Sequence, residues 1–313
     1  MNNELSFLMN DATFANLREL DGKVGLLEQR RICELYELSV SLCDNSSELF
    51  ASGMSTCEIL SLIASYIEMP VCEIDESTFS ALRNYARFIN ANDKIVLARL
   101  ICDNLINLGI SVSESDFLPV KQLPDTFVYV KNSLSDEAYD VFSQEFDAPR
   151  LSYVSSFKEA LNAVSTSVAS YALLPIEERG SRLASVTEMI FGGDFKIASV
   201  TPVLGFDGLA DMKYALISKY VRLPSVHSDD DRYFEFRIPT SDDLPLDELL
   251  CASHFYGCEV YRLNTVTFST DDGLKPYFSV VLRREGGDFS ALLAYLTLFA
   301  DDFSPVGVYK NLE

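Results

Sequence analysis

From Phe14 to about Leu118 the apolar residues recur at intervals of three and four, and Gly or Pro falls where helices should end, at Gly53, Pro70, Gly109 and Pro119. That spacing predicts a helical bundle over residues 1–120. After Leu123-Pro124 the period changes. Thr126 to Val130 alternates and is rich in β-formers, which predicts a strand, and Ser135-Asp136-Glu137-Ala138 predicts a helix through Phe142 with Ser135 as its N-cap. A second strand, Arg150 to Val154, leads into a helix from Ser156-Phe157 to about Val168. The continuous apolar run Tyr171 to Leu174 reads as a buried strand stopped by Pro175. A charged turn with Gly180 follows, then Leu183, Val186 and Ile190 at helical spacing: strand, polar elbow, helix. Lys196 to Val200 and Met212 to Ser218 complete an α/β lobe over 125–224.

Val226 to Asp231 is an acidic connector, and beyond it strand and helix signals alternate over 230–313. Arg232 to Ile238, Glu259 to Phe268, Pro276 to Arg283 and Val306 to Lys310 read as strands; Pro245 to Tyr256 and Asp288 to Ala300 read as helices. The order βαββαβ is that of a ferredoxin-like unit. The fold class is therefore α+β and multidomain: helical bundle, single α/β lobe, ferredoxin-like unit. An open sheet of this kind commonly buries an edge or face against a second copy, so a homodimer through the C-terminal unit is expected.

Bulk properties narrow the partners. A chain of 313 residues, 48% hydrophobic, is long enough for two or three cores. A net charge of -22 would be repelled by nucleic acid and by anionic membrane. Any anion site must therefore be built from locally gathered Arg, Lys and backbone N–H groups. The seven cysteines (Cys33, Cys43, Cys57, Cys72, Cys102, Cys251, Cys258) show no Cys-x-x-Cys spacing and read as reduced thiols of a cytoplasmic protein. The first ten residues lack a basic n-region, and no stretch approaches eighteen apolar residues, so neither secretion nor membrane insertion is expected. His227 and His254 stand without a ligand cluster, so neither a metal nor another cofactor is expected.

The elbow carries the candidate chemistry, because strand ends and helix N-termini there leave unpaired N–H groups that collect carboxylates. Tyr171, Leu174, Pro175, Ile176 and Glu177 also match the Tyr-Gly-Val-Leu-Pro-Ile-Glu-Asn-Ser signature of prephenate dehydratases. The chain resembles a divergent member of the bifunctional chorismate mutase–prephenate dehydratase family, which ends in a regulatory ACT domain. The likeness follows the order mutase-like helices, half of a dehydratase domain, ACT-like unit. In the first helix, Leu17-Arg18 and Leu26-Leu27-Glu28-Gln29-Arg30-Arg31 are similar to the opening helix of helical chorismate mutases. By that resemblance Arg18 and Arg30 or Arg31, with Lys94 and Arg99 from a later helix, are candidates for an anion site; as plain bundle residues they would be solvated or salt-bridged. Gly22 and Gly25 inside that helix each cost about 1 kcal/mol against Ala.

The dehydratase-like remnant comprises Ser135, Glu177, Glu178, Arg179, Met212, Lys213 and Tyr214. The family's Asn and Ser are replaced by Glu178 and Arg179, and its Thr-Arg-Phe strand by Met212-Lys213-Tyr214. A thioether cannot donate a proton to a departing hydroxyl, and Lys lacks the guanidinium fork. Family members continue with a second lobe that closes the cleft; the segment Thr201 to Gly208 is too short for one, so the cleft is expected to lack a wall and admit water. Glu177 and Glu178, adjacent on a turn, are expected to point apart into solvent. These departures imply a protein related to phenylalanine biosynthesis without dehydratase activity, acting in ligand binding, regulation or assembly. The alternative is an active enzyme of that chemistry, chorismate mutase rather than dehydratase. The ligand expected in either case is a small carboxylate or aromatic amino acid.

Overall fold

Among the described residues, the three-and-four spacing of the N-terminal third coincides with helix. The computed structural model describes residues 11–68, 90–205, 208, 211–224, 232–240, 244–270, 273–287, 289–300 and 302–312. Pro70, Cys72, Phe206, Asp207, His227 and the connector 226–231 lie outside them, as do residues 1–10 and their flanking charges. The chain divides into two compact units, Met1–Ser111 and Val112–Glu313.

In the first unit, α1 (Asp11–Cys43), α2 (Ser46–Ala51), α3 (Thr56–Glu68) and α4 (Ala91–Asn107) follow the apolar period. Leu35, Leu38, Leu42, Ile59, Leu60, Ile63, Leu97, Ile101 and Leu105 are buried in this unit. Within it Asn104 Nδ2 donates to Ser39 Oγ at 2.8 Å. Helix α4 starts at a capping box in which Asn90 accepts from the Asp93 N–H and the Asp93 side chain accepts from the Asn90 N–H. Gly53 and Gly109 adopt positive φ (101° and 80°) just past α2 and α4, as chain stops require.

The second unit opens with the short α5 (Glu114–Phe117), then β1 (Thr126–Val130), α6 (Ser133–Ser143), β2 (Arg150–Val154), α7 (Phe157–Ser165), β3 (Tyr171–Glu178), β4 (Ser181–Arg182), α8 (Ala184–Gly192), β5 (Lys196–Val203) and β6 (Met212–Ser218). The main strands run in the order β2-β1-β3-β6-β5, with β4 hanging off β3. β1 pairs parallel with β2 and β3, whereas β6 runs antiparallel to β3 and β5. Alternation sorts the side chains onto two faces. Phe127, Tyr129, Tyr171, Leu173 and Tyr214 meet Ala138 and Phe142 of α6 on one. Val128, Leu174, Ile176, Ala215 and Ile217 meet α7 and α8 on the other.

The chain continues through β7 (Arg232–Pro239), α9 (Leu246–Phe255), β8 (Cys258–Thr270), β9 (Gly273–Arg284), α10 (Phe289–Phe299) and β10 (Ser304–Lys310). Their sheet has the order β10-β7-β9-β8, all antiparallel, the ferredoxin-like arrangement that the βαββαβ pattern implies. The two sheets meet along β5 and β10. Leu312 N–H donates to Val200 O at 2.7 Å, and Lys196 Nζ reaches Pro305 O at 2.9 Å. Gly307 lies so close to Ile197 that a Cβ there would sit 2.2 Å from its carbonyl oxygen. Tyr233, Val266, Phe268, Val306 and Tyr309 join the α7–α8 core of the lobe, so the ferredoxin-like sheet covers that face.

Two readings of the sequence change. The helix α6 is capped by Asn132, whose side chain accepts from the N–H groups of Leu134 and Ser135; Ser135 is the third helical residue, its Oγ accepting from the Asn132 N–H at 2.9 Å. Asn and Ser cap about equally well, and the chain takes the earlier one. Pro175 does not end its strand. β1 pairs with β3 only as far as Leu173, and a bulge lies between Pro175 and Glu177 on the β6 side, so the N–H that proline lacks is not demanded.

Candidate functional site

Past Pro175 the chain makes a hairpin rather than a simple elbow. Arg179 and Gly180 both have positive φ (49° and 77°), the pairing a type I′ turn requires, and they close Glu178 against Ser181 and Glu177 against Arg182. The Arg179 N–H donates to Asp211 O at 2.7 Å, which holds the turn to the start of β6. Leu183 then enters α8 without any side-chain cap, and the first turn of α8 holds no acidic residue.

The hairpin brings charges together. Glu177 is only 5% exposed, so the expectation of a solvated carboxylate pair is corrected for it, whereas Glu178 is exposed. Glu177 Oε2 accepts from Arg262 Nη1 at 2.6 Å, and its Oε1 lies 3.7 Å from Lys213 Nζ. Beside it, Glu235 Oε2 accepts from Arg182 Nη2 at 2.7 Å and from the Tyr309 hydroxyl at 2.7 Å. The strands explain the meeting: Glu177 and Lys213 are cross-strand partners, as are Glu177 and Arg182, while Glu235 and Arg262 come from β7 and β8.

Burial pushes the Glu177 carboxyl up, but the Arg262 hydrogen bond and charge, with Lys213 and Arg182, outweigh it and hold the group below the ordinary range. Burial also pushes the Tyr309 hydroxyl well above its usual value, and the Glu235 charge adds to that. For Arg182, burial opposes the charge, and the Glu235 carboxylate overcomes it, so the guanidinium stays protonated. Three cations thus share two carboxylates in a chain whose net charge is -22.

Arg182 and Arg262 open onto a cleft of about 490 Å³ between the hairpin, α8 and the β8–β9 ribbon. Its lining also holds the apolar Phe191, Val266 and Phe268, and Glu188 stands exposed on it. An adjoining cavity of about 530 Å³ shares Glu188, Phe191, Thr267 and Phe268 and adds Arg237, Leu274 and Tyr277. There the Arg237 guanidinium lies 4.5 Å from the Phe191 ring centre and 5.5 Å from that of Phe268. The ferredoxin-like sheet thus covers the Lys213 side of the lobe, while the side bearing Met212 packs against the α6 cluster.

The remaining candidates scatter. Met212 and Tyr214 face the α6 side of the sheet and Lys213 the other, because alternate residues of β6 point to opposite faces. Ser135 Oγ is committed to Val130 O (2.8 Å) and to its capping contacts. Arg179 serves the turn. In the helical unit Arg18 is exposed, Arg30 lies 3.6 Å from Glu34 and Arg99 3.3 Å from Asp103, each pair one helical turn apart. Arg31 makes a two-pronged pair with Asp93, the neighbour of Lys94. Arg182, Glu235, Arg262 and Tyr309 were not singled out from the sequence. A signal existed for Glu235 and Arg237, which alternate with the apolar Phe234 and Phe236; a solvated sheet face gives the same pattern.

No protein-family model and no curated protein sequence matches this chain. Among solved structures it is similar to the prephenate dehydratase of Streptococcus mutans, at 15% identity and TM-score 0.48, over 61% of this chain and 100% of that one. It is also similar to a protein described as a novel type of quorum-quenching acylase (14%, TM-score 0.44, 59% and 95%). A third is the prephenate dehydratase of Arthrobacter aurescens in complex with L-Phe (13%, TM-score 0.45, 60% and 90%). At these values the likeness concerns fold and carries nothing about chemistry.

Proposed function

We propose that this chain is a divergent relative of prephenate dehydratases that binds a small carboxylate and does not dehydrate it, acting as a binding or regulatory protein of aromatic amino-acid metabolism. One observation carries this reading. The acid brought to Lys213, Glu177, is already held by Arg262 and Lys213, while Met212, where the family has a proton-donating Thr, faces the other side of the sheet. The carboxylate at Lys213 is thus committed to ion pairs and does not serve as a free acid or base, whereas general acid chemistry needs a donor within reach of the leaving oxygen. The alternative mutase reading gains no support from Arg30, Arg31 and Arg99, each of which faces a carboxylate. Pairing of two copies through the edge strand β8 belongs to the same proposal and is read by analytical ultracentrifugation.

Incubation of the purified chain with prephenate at neutral pH tests the central claim. Prephenate should disappear no faster than in buffer. Accelerated loss that is abolished by Lys213→Ala would mean the protein is an enzyme.

A further inference from the structure

Building on the binding-protein reading above, we infer that the cleft between the β3–β4 hairpin, α8 and the β8–β9 ribbon is the receptor site, and that it takes a small monocarboxylate bearing an apolar, ring-sized body. Its volume of about 490 Å³ lies in the range of small-molecule sites. Its chemistry is divided along its length. At one end Arg182 and Arg262 have side chains 19% and 21% exposed, so neither is fully withdrawn from the cleft. Each guanidinium has five N–H donors, and the carboxylates Glu235 and Glu177 each take a bond from one nitrogen, which leaves donors for an incoming carboxylate. The open N-terminus of α8, entered directly after Arg182, adds the same sign of potential.

At the other end Phe191 and Phe268 meet edge to face with centroids 5.3 Å apart, and Val266 extends the apolar surface. This surface suits a ring, and the Arg237 guanidinium stacks on the same two phenylalanines from the adjoining cavity. Among the charged residues lining the cleft, Arg182 and Arg262 stand beside Glu235 and Glu188, and Glu188 disfavours a second anionic group along it. The network also makes little sense as a stabiliser alone, because well-packed apolar residues would hold the two sheets at least as firmly as buried ion pairs. Arginines kept charged beside a cavity fit an anion that comes and goes.

The probe is 3-phenylpropanoate, followed by isothermal titration calorimetry on the full chain, with acetate and 3-phenylpropanol as half-ligands. 3-Phenylpropanoate should bind, and each half-ligand should bind roughly ten-fold more weakly or worse, since each loses either the charged hydrogen bonds or the apolar burial. Arg262→Gln should weaken binding by about ten-fold or more. Because that change also strips Glu177 of its main partner, Ala184→Trp serves as a second variant. Ala184 is exposed, belongs to no ion pair and lies on the face of α8 that carries Glu188 and Phe191 into the cleft, so the new ring should block the cleft and abolish binding while the melting curve stays that of the wild type. Acetate binding as well as 3-phenylpropanoate, or binding that survives Ala184→Trp, would place the ligand elsewhere and overturn the inference. No heat with 3-phenylpropanoate at millimolar concentration, together with no loss of prephenate, sinks this site and leaves the non-enzymatic reading standing. Prephenate turnover sinks the latter.

Discussion

Arg30 and Arg99 in the helical unit, and Arg182 and Arg262 at the hairpin, all face a carboxylate, yet they sit in opposite surroundings. The side chain of Arg30 is 78% exposed and its partner belongs to the same helix. That of Arg182 is 19% exposed and its partner Glu235 is 2% exposed, on a strand 53 residues away in sequence. Pairs of the first kind are screened by water and salt and hold little. Pairs of the second kind are desolvated, so removing one member leaves a charge that the protein cannot hydrate. An arginine's sequence position says nothing about which kind it will be; the element packed over it decides.

The largest effect should come from Glu235. Glu235→Leu leaves Arg182 facing no carboxylate of its own and deprives the Tyr309 hydroxyl of its acceptor, and should cost about 3–5 kcal/mol in denaturant unfolding. Combining it with Arg182→Met should recover most of that loss, since the buried pair is then replaced as a unit. A double variant as unstable as the single one would show that apolar packing, not the charge, was lost.

The seam between the two sheets comes next. A Cβ at residue 307 would lie 2.2 Å from Ile197 O and 3.1 Å from the Ile197 carbonyl carbon, both backbone atoms that cannot swing aside. Gly307→Ala should therefore push β10 off β5 and cost about 1–3 kcal/mol. Hydrogen exchange should quicken at Leu312, whose N–H bonds to Val200 O. Unchanged protection at Leu312 would mean that β10 keeps its seat on β5 despite the added Cβ.

Much of this architecture is legible in the residues. The strands Thr126–Val130 and Arg150–Val154 coincide with the alternating runs, and the βαββαβ pattern is visible because each strand has its own apolar period and each helix its own stop. Local chemistry misleads where a long-range partner intervenes. Pro175 reads as a stop because its missing N–H matters only if a neighbour asks for it, and β1 has ended by then. Glu177 reads as solvated because its partner Arg262 lies 85 residues further along the chain. The cleft is illegible for the same reason: one wall comes from the lobe and the other from a sheet that no local pattern places against it.

Glu177 gives the pH signature of the buried class. Its folded value lies below the ordinary glutamate value of about 4.5, so the stability it contributes is present above that value and is lost as the pH falls through the lower, folded one. Glu177→Gln should cost about 1.5–3 kcal/mol at pH 7, the range for hydrogen bonds to charged groups. The gap between variant and wild type should close below pH 4.5 as the wild-type carboxylate takes up a proton. A gap that persists in acid would assign the loss to side-chain packing.

The exposed class should respond least. Arg30→Ala and Arg99→Ala each remove one partner of a pair one turn apart on a helix, and each should shift stability by no more than about 0.5 kcal/mol, less at 1 M salt, where the screening length falls to about 3 Å. Arg31→Ala should lose somewhat more, about 1 kcal/mol, because its partner Asp93 is buried and also closes the capping box of α4. The order matters more than the values. If Arg30→Ala proved as damaging as Glu235→Leu, its charge would be working against something other than Glu34, and the helical unit would become the place to look for a bound anion.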